Sequence, residues 1–361
     1  MLADPQQLER DLVSSRERTR QVTADLEGER LLGPKLAIVN PPLWEIGHVA
    51  WFLEYWCLRL RADGTRSDSM LEGADALYDS AKVAHDTRWD LPLPGLAATR
   101  KYGDAVLERV RERLAREREN RRFHYFVRLA TFHEDMHAEA FLYTRHTLGY
   151  GNPGLEEVQC GRFAVGDIEV PGGKIMLGAT QNDGFVFDNE KWAHEVRIAR
   201  FRIARGPVTN AQYLEYVAES GKAPRYWKKE DGQWLERRFD RWASPAPQAP
   251  VLHVDWHEAQ AYCQWAARRL PTEAEREHAA ASGLIENAAG VWEWTTTDFG
   301  PYPGFVVDPY KEYSEPWFGN HKVLRGGSFA VPARLLRNTF RNFYMPHRGD
   351  VFCGFRTCSL D

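Results

Sequence analysis

Hydrophobic residues in the first 150 positions recur at the spacing of amphipathic helices. This periodicity predicts four helices, over residues 6–29, 43–61, 99–119 and 120–148. The second is the most apolar, with Trp44, Trp51 and Phe52 on the same face as His48. Asn40 is the predicted cap of this helix, and a proline follows in its first turn. Four helices with short or moderate connections predict a four-helix bundle.

The connection between the second and third predicted helices is unusually long. Residues 62–98 are rich in Asp, Gly and Pro, and they exceed what a tight turn requires. We expect this segment to lie over one end of the bundle as a lid.

From Cys160 onward, glycine and proline become frequent and the apolar runs become short. Residues 173–178 and 196–203 alternate as strands do. Two helices are predicted among them, over 210–220 with Thr209 as its cap and over 256–269. The chain is therefore predicted to be α+β, with a helical domain over residues 1–152 and a mixed domain over 153–361.

Composition narrows the function classes. The length of 361 residues suits two domains, and 43 % hydrophobic with 27 % charged residues is ordinary for a folded protein. A net charge of −4 argues against a sequence-independent nucleic-acid binder. The sequence has no run of 18 apolar residues, so we expect no membrane span. It also has no N-terminal pattern of basic residues followed by an apolar stretch, as a secretory signal would have, so we expect a cytoplasmic protein. Five cysteines without a C-x-x-C pair suggest reduced thiols.

Three histidines form the strongest chemical pattern. His133 and His137 are four residues apart, so on a helix both imidazoles point to one side. His48 lies on an otherwise aromatic face, where a polar ring needs a partner. In a bundle these side chains can converge on one divalent metal, either a hydrolytic zinc or an iron(II) that binds substrate and O₂. The alternative is that His48 is a core histidine bonded to a carbonyl.

A ligand set of two histidines and one carboxylate would need Glu134, Asp135 or Glu139 to turn inward. Glu139 lies two residues from His137 and therefore points elsewhere on a helix, so three histidines are favoured. The remaining histidines of interest rank below them, as weaker ligands or as surface and structural residues: His85, His124, His146, His257 and His278.

The second half carries five ordered motifs. They are residues 250–267, residues 269–276, Gly290-Val-Trp-Glu-Trp-Thr295, residues 323–328 and Cys353-Gly-Phe-Arg356. Together they resemble the formylglycine-generating-enzyme, or sulfatase-modifying-factor, family. The resemblance implies a C-type-lectin-like topology. The family's copper-binding cysteine pair would fall near residues 337–343, where this chain has no cysteine, so formylglycine formation is not expected.

The first half resembles DinB-like bundles, through Pro42-Leu-Trp-Glu-Ile-Gly-His48 and the His133, His137 and Glu139 pattern. Both modules in this order resemble the ergothioneine sulfoxide synthases and the related selenoneine synthases. The resemblance implies Fe²⁺ held by His48, His133 and His137. It also implies an O₂-dependent reaction that couples a sulfur or selenium donor to imidazole C2 of hercynine, with no protein partner required.

The resemblance also suggests substrate-binding residues. Arg341, Asn342 and Phe343 align with a run that holds the trimethylammonium group, for which an aromatic face is a natural host. Arg88 lies in a region where relatives hold the donor, and it is predicted to pair with an anionic group or with sugar oxygens. Tyr302 and Tyr344 are the candidate proton donors, ahead of Tyr310 and Tyr313.

The donor is predicted from one departure. Tyr344 stands where relatives that use γ-glutamylcysteine often carry an acidic residue. A neutral selenosugar needs no such charge, which favours selenoneine synthesis, with cysteine or γ-glutamylcysteine as the alternative donors. Two other classes stay open: a zinc-dependent DinB-like thiol transferase and a non-catalytic ligand-binding module.

Overall fold

The computed structural model describes residues 4–154, 164–287 and 290–360. The chain divides into two compact units, Met1–Leu155 and Glu156–Asp361. This division falls three residues after the predicted end of the helical domain at residue 152. Cys57, Cys263, Cys353 and Cys358 are free thiols, as predicted, whereas Cys160 lies outside the described residues. Among the helices described, none combines the length and the apolar character that crossing a membrane requires.

Over residues 4–154, the N-terminal unit contains five α-helices. They are α1 (Pro5–Val22), α2 (Pro42–Cys57), α3 (Ala74–Tyr78), α4 (Leu96–Arg116) and α5 (Arg121–Leu148). The four long helices pack as the predicted bundle, since α1 and α2 each contact both α4 and α5. Helix α2 is central to it, with all but one of its residues buried.

The helix ends follow from local hydrogen bonds, with one correction. The side chain of Asn120 caps α5 by accepting from the Phe123 amide, and Gly149 ends that helix in the left-handed conformation. The predicted cap of α2 is wrong. Helix α2 begins after Pro41, and Asn40 Oδ1 instead accepts a hydrogen bond from Arg88 Nη1 at 2.7 Å.

The long connection packs along α2. Trp44 Nε1 donates to the Leu77 carbonyl and Trp51 Nε1 donates to Asp75 Oδ1, each at 2.7 Å. Tyr78 is fully buried at the end of α3. Two tryptophans on the aromatic face of α2 therefore hold this connection against the helix, and the connection packs as part of the bundle.

In its described residues, the C-terminal unit contains short strands and three α-helices. The strands are β1 (Asp167–Val170), β2 (Gly173–Leu177), β3 (His194–Ile198), β4 (Phe201–Ala204), β5 (Trp227–Glu230), β6 (Gln233–Arg238), β7 (Arg241–Ala243), β8 (Val291–Asp298), β9 (Lys322–Gly327), β10 (Asn342–Tyr344) and β11 (Cys353–Phe355). The helices are α6 (Asn210–Ser220), α7 (Trp256–Trp265) and α8 (Glu273–Ala281).

The largest sheet has the order β10-β9-β8-β11, in which only the β8–β11 pair is parallel. Helix α6 and its Thr209 cap are confirmed. The predicted strand over 196–203 is wrong as one element, because β3 pairs with β2 and β4 pairs with β1. Helix α8 was missed, although Thr272 and Glu275 form the capping box that such a helix start requires.

Candidate metal centre

Helices α2 and α5 bring His48, His133 and His137 together. The ring centroids are 5.1 Å apart for His48 and His133, 4.9 Å for His48 and His137, and 4.5 Å for His133 and His137. One ring nitrogen of each lies within 4.8 Å of the others. In the described part of the chain, these three residues are the one cluster of this kind.

Hydrogen bonds at Nδ1 orient two of the three histidine rings. His48 Nδ1 lies 2.8 Å from the Tyr78 carbonyl, and His137 Nδ1 lies 2.5 Å from Glu45 Oε1. A carbonyl or carboxylate oxygen accepts from an imidazole N–H, so Nδ1 carries a proton in each ring, which leaves Nε2 as the nitrogen that can bind a metal. Acceptors behind the ring in this arrangement are a regular feature of metal-binding histidines.

Aromatic rings surround the cluster. Trp44 stacks on His48 at 4.7 Å with an interplanar angle of 11°, and Phe52 stacks on His133 at 3.6 Å and 5°. His48 is only 2 % exposed and His133 is equally buried. This burial lowers the pKa of both imidazoles well below the ordinary value, so both are neutral and able to coordinate near pH 7.

The nearby carboxylates do not join the cluster. Glu134 receives two hydrogen bonds from Arg16, at 2.6 and 3.1 Å, and Glu45 lies behind His137. Elsewhere in the bundle, His85 and His124 bond the carbonyls of Val39 and Glu117. The donor set is therefore three imidazole nitrogens, which suits zinc or iron(II) with open positions.

The donor set fits a divalent ion. Bonds of about 2.1 Å require ring nitrogens about 3–4 Å apart, so small side-chain movements bring the three into range. Glu45 supplies a second observation, because its Oε2 is buried and lacks a hydrogen-bond partner among the described residues. A negative charge left in this position is favoured by a cation on the other side of His137.

Arg88 lies beside this cluster. Its guanidinium sits 3.9 Å from the centre of the Trp44 ring and donates to Asn40 Oδ1 and to the Val83 carbonyl. Only 9 % of the residue is exposed, and burial lowers its pKa to about 10. Arg88 is thus a buried cation next to the aromatic face, and its role in donor binding stays a prediction.

Two of the predicted site residues form part of the C-terminal core. Arg341 is 1 % exposed, donates to both oxygens of Glu273 at 2.9 and 3.1 Å, and also donates to two backbone carbonyls. These contacts hold Arg341 in the core of the C-terminal unit, and its contact with substrate stays a prediction. The Tyr302 hydroxyl accepts from Arg325 at 2.9 Å, and burial raises its pKa. The predicted role of Tyr302 in proton transfer stays a prediction.

The other predicted residues lie in the edge strand β10. Asn342 Oδ1 accepts from the Phe343 amide at 2.9 Å, and Phe343 stacks on Phe299 at 4.0 Å and 10°. The Arg348 guanidinium lies 5.2 Å from the Tyr344 ring. All three residues of β10 are half-buried, so they keep partial access to ligands, and their substrate roles stay predictions.

Sequence analysis missed the two groups that orient the histidines. Glu45 lies three residues before His48 on α2, and that helical spacing is the signal that could have placed it near the cluster. The Tyr78 carbonyl carried no signal, because any residue at that position supplies a backbone oxygen.

Gly47 permits the approach of Tyr78, and Gly47→Ala is expected to destabilise the bundle by about 1–3 kcal/mol. A Cβ at Gly47 would lie 2.2 Å from the Tyr78 ring, which is fully buried and has little room to move. Displacing the ring also moves the carbonyl that orients His48, so metal affinity should fall as well. Thermal unfolding and zinc titration measure the two effects.

The matched control for this prediction is Gly95→Ala at the start of α4. A Cβ there meets nothing within 4 Å, so both quantities should change little. Equal behaviour of the two variants would show that the close packing of Tyr78 on α2 is unimportant.

Comparison with known families agrees with this architecture. The DinB superfamily model matches residues 11–141, and the sulfatase-modifying factor enzyme 1-like domain matches residues 159–289 and 281–359. The predicted fold class, a helical DinB-like domain followed by a domain of the sulfatase-modifying-factor type, is thereby confirmed.

Curated relatives extend over nearly the whole chain. A hercynine oxygenase of Mycolicibacterium smegmatis is 31 % identical, with 96 % of this chain and 97 % of the relative covered. A hercynine oxygenase of Mycobacterium tuberculosis is 30 % identical, with coverages of 98 % and 99 %. The ergothioneine biosynthesis protein 1 of Schizosaccharomyces pombe is 29 % identical over 44 % of this chain and 26 % of its own length.

Proposed function

The chain belongs to the hercynine oxygenase family, and we propose that it uses iron(II) and O₂ to couple a sulfur or selenium donor to imidazole C2 of hercynine. In this reaction the C2–H bond and the S–H or Se–H bond of the donor break. A bond from C2 to the chalcogen forms, one oxygen atom is added to the chalcogen, and the other leaves as water.

The observation that carries this proposal is the cluster of three imidazoles without a carboxylate ligand. Its members, His48, His133 and His137, would hold the ion on one face and leave positions for substrates. Bound iron would supply the redox chemistry that lets O₂ react with the two organic substrates.

The residues around the cluster orient the histidine rings and limit the access of water. The Tyr78 carbonyl and Glu45 keep the protons of His48 and His137 on Nδ1. Trp44 and Phe52 cover the rings and limit the access of water. Arg88 offers a positive charge at the edge of this aromatic face, and Asn342 with Phe343 stays our proposal for the trimethylammonium group.

Two donor classes are supported by different observations. Tyr344 in place of an acidic residue favours a neutral selenosugar. The similarity to a protein named for ergothioneine biosynthesis favours a thiol donor. We keep both, because the same histidine cluster serves either reaction.

The experiment that tests the proposal is anaerobic reconstitution with Fe²⁺, followed by hercynine and then O₂. Cysteine, γ-glutamylcysteine and a selenosugar are supplied in parallel, and mass spectrometry detects the coupled product. We expect product with one donor class and O₂ consumption that depends on hercynine.

A zinc-loaded sample addresses the rival transferase, which the same three histidines would suit. Product formed with zinc and without O₂ would refute the oxygenase proposal. Absence of product with every donor, in protein shown to hold iron, would do the same.

A further inference from the structure

Glu45 is a buried carboxylate that is incompletely satisfied. Its Oε1 lies 2.5 Å from His137 Nδ1, whereas its Oε2 has no hydrogen-bond partner among the residues that the structure describes. The residue is fully buried in α2. Burying a carboxylate with so few donors is costly unless a positive charge is close.

Two other buried glutamates in the bundle accept hydrogen bonds at both carboxylate oxygens. Glu54, on the same helix, accepts from Ser69 Oγ, the Met70 amide and Tyr102 Oη. Glu134 accepts two hydrogen bonds from Arg16. Glu45 differs from both, because its one strong contact is an imidazole.

We propose that Glu45 is a positioning residue that fixes His137 for metal binding and raises the affinity of the centre for a divalent cation. The inference rests on the metal centre of the proposed function. As the acceptor behind His137, the carboxylate holds the proton on Nδ1, sets the plane of the ring and makes Nε2 a stronger donor. A bound dication would in turn add positive charge near the buried carboxylate, beyond that of the Arg88 guanidinium, which interacts with it electrostatically.

The contribution is specific to His137. His48 is oriented by the neutral Tyr78 carbonyl, which fixes the ring without adding negative charge. Among the acceptors that the structure shows behind the three rings, Glu45 alone carries a charge that substitution can remove.

The test is the metal affinity of Glu45→Gln, measured with Co²⁺ and Zn²⁺ in competition with a chelator, without hercynine or O₂. Glutamine keeps the shape and an accepting oxygen but loses the charge. We expect the Kd for both ions to rise about 10–100-fold. The visible absorption bands of bound Co²⁺ should shift, because the donor strength of one ligand changes.

The matched control is Glu54→Gln, a buried glutamate on the same helix whose partners are not ligands. It should lower thermal stability yet leave the Kd and the Co²⁺ spectrum unchanged. A Kd for Glu45→Gln within twofold of the unsubstituted protein, or equal weakening in both variants, would overturn the positioning role.

Should Glu45→Gln fail to fold, ¹⁵N-histidine NMR of the unsubstituted, zinc-loaded protein decides the question. A protonated Nδ1 on His137, with its proton shifted strongly downfield by the carboxylate, supports the proposal. Metal on Nδ1 refutes it.

These outcomes are separable from those of the proposed function. A failed oxygenase assay leaves the affinity comparison intact, and equal affinities leave the oxygenase proposal intact. Failure of the unsubstituted protein to bind either ion would refute the metal centre itself.

Discussion

Replacing His133 by alanine is expected to reduce O₂-dependent product formation to background and to weaken metal binding by more than about 100-fold. The lower bound follows from a comparison. Losing a residue that only hydrogen-bonds to a metal ligand costs about 10–100-fold in metal affinity, and His133 would bind the ion directly. The His133 ring also fills the space between Phe52 and the other two histidines, so no neighbouring imidazole replaces it.

The measurement combines the iron content after reconstitution with the rate of product formation under O₂. His124→Ala is the matched control, because His124 is a buried histidine of the same helix that contacts the Glu117 carbonyl and lies outside the cluster. It should retain both iron and activity. Full activity of His133→Ala would show that the catalytic ion is not bound by this histidine cluster.

Much of the helical bundle could be predicted from the helical periodicity of the sequence. The aromatic face of α2 and the i, i+4 histidines of α5 are local patterns, and a bundle of four helices converts them into one cluster. The ends were less predictable. Asn40 has the character of a cap, yet its side chain bonds Arg88, which is 48 residues away in sequence. Tertiary contacts of this kind override local preference.

The orienting groups show a similar limit. The Tyr78 carbonyl and Glu45 act across 30 and 92 residues of sequence. A backbone oxygen has no side-chain signature, and a glutamate on a helix is ordinarily a solvent-exposed residue. Only the folded chain shows that Glu45 is buried and faces His137.

In the C-terminal unit, the partners of buried charged residues could not be predicted from the sequence. The resemblance implied a substrate role for Arg341, but the sequence alone does not show which acid would neutralise it. In the structure Glu273 pairs with Arg341 and also with Arg325. These ion pairs explain how Arg341 can be buried, whereas its substrate role stays a prediction.

A second buried cluster of ion pairs in this unit is centred on Glu293. Glu293 on β8 receives two hydrogen bonds from Arg276 of α8 and two from Arg356 after β11, at 2.9–3.2 Å. All three residues are fully buried. Burial by itself would raise the pKa of Glu293, but the two guanidinium groups hold it below its ordinary value. The carboxylate is thus the charge shared by two buried cations.

Glu293→Gln is expected to lower the free energy of unfolding of the C-terminal unit by about 3–5 kcal/mol, since it leaves two buried guanidinium groups without their shared countercharge. Domains of this size are stable by only about 5–15 kcal/mol, so the variant should approach the limit of folding. Urea unfolding measures the change. Glu195→Gln is the control, because Glu195 pairs with Lys174 at a site where the two side chains are 58 % and 60 % exposed, and it should cost at most about 1 kcal/mol. Equal losses in the two variants would mean that the buried cluster of Glu293 contributes no more to stability than an exposed surface pair.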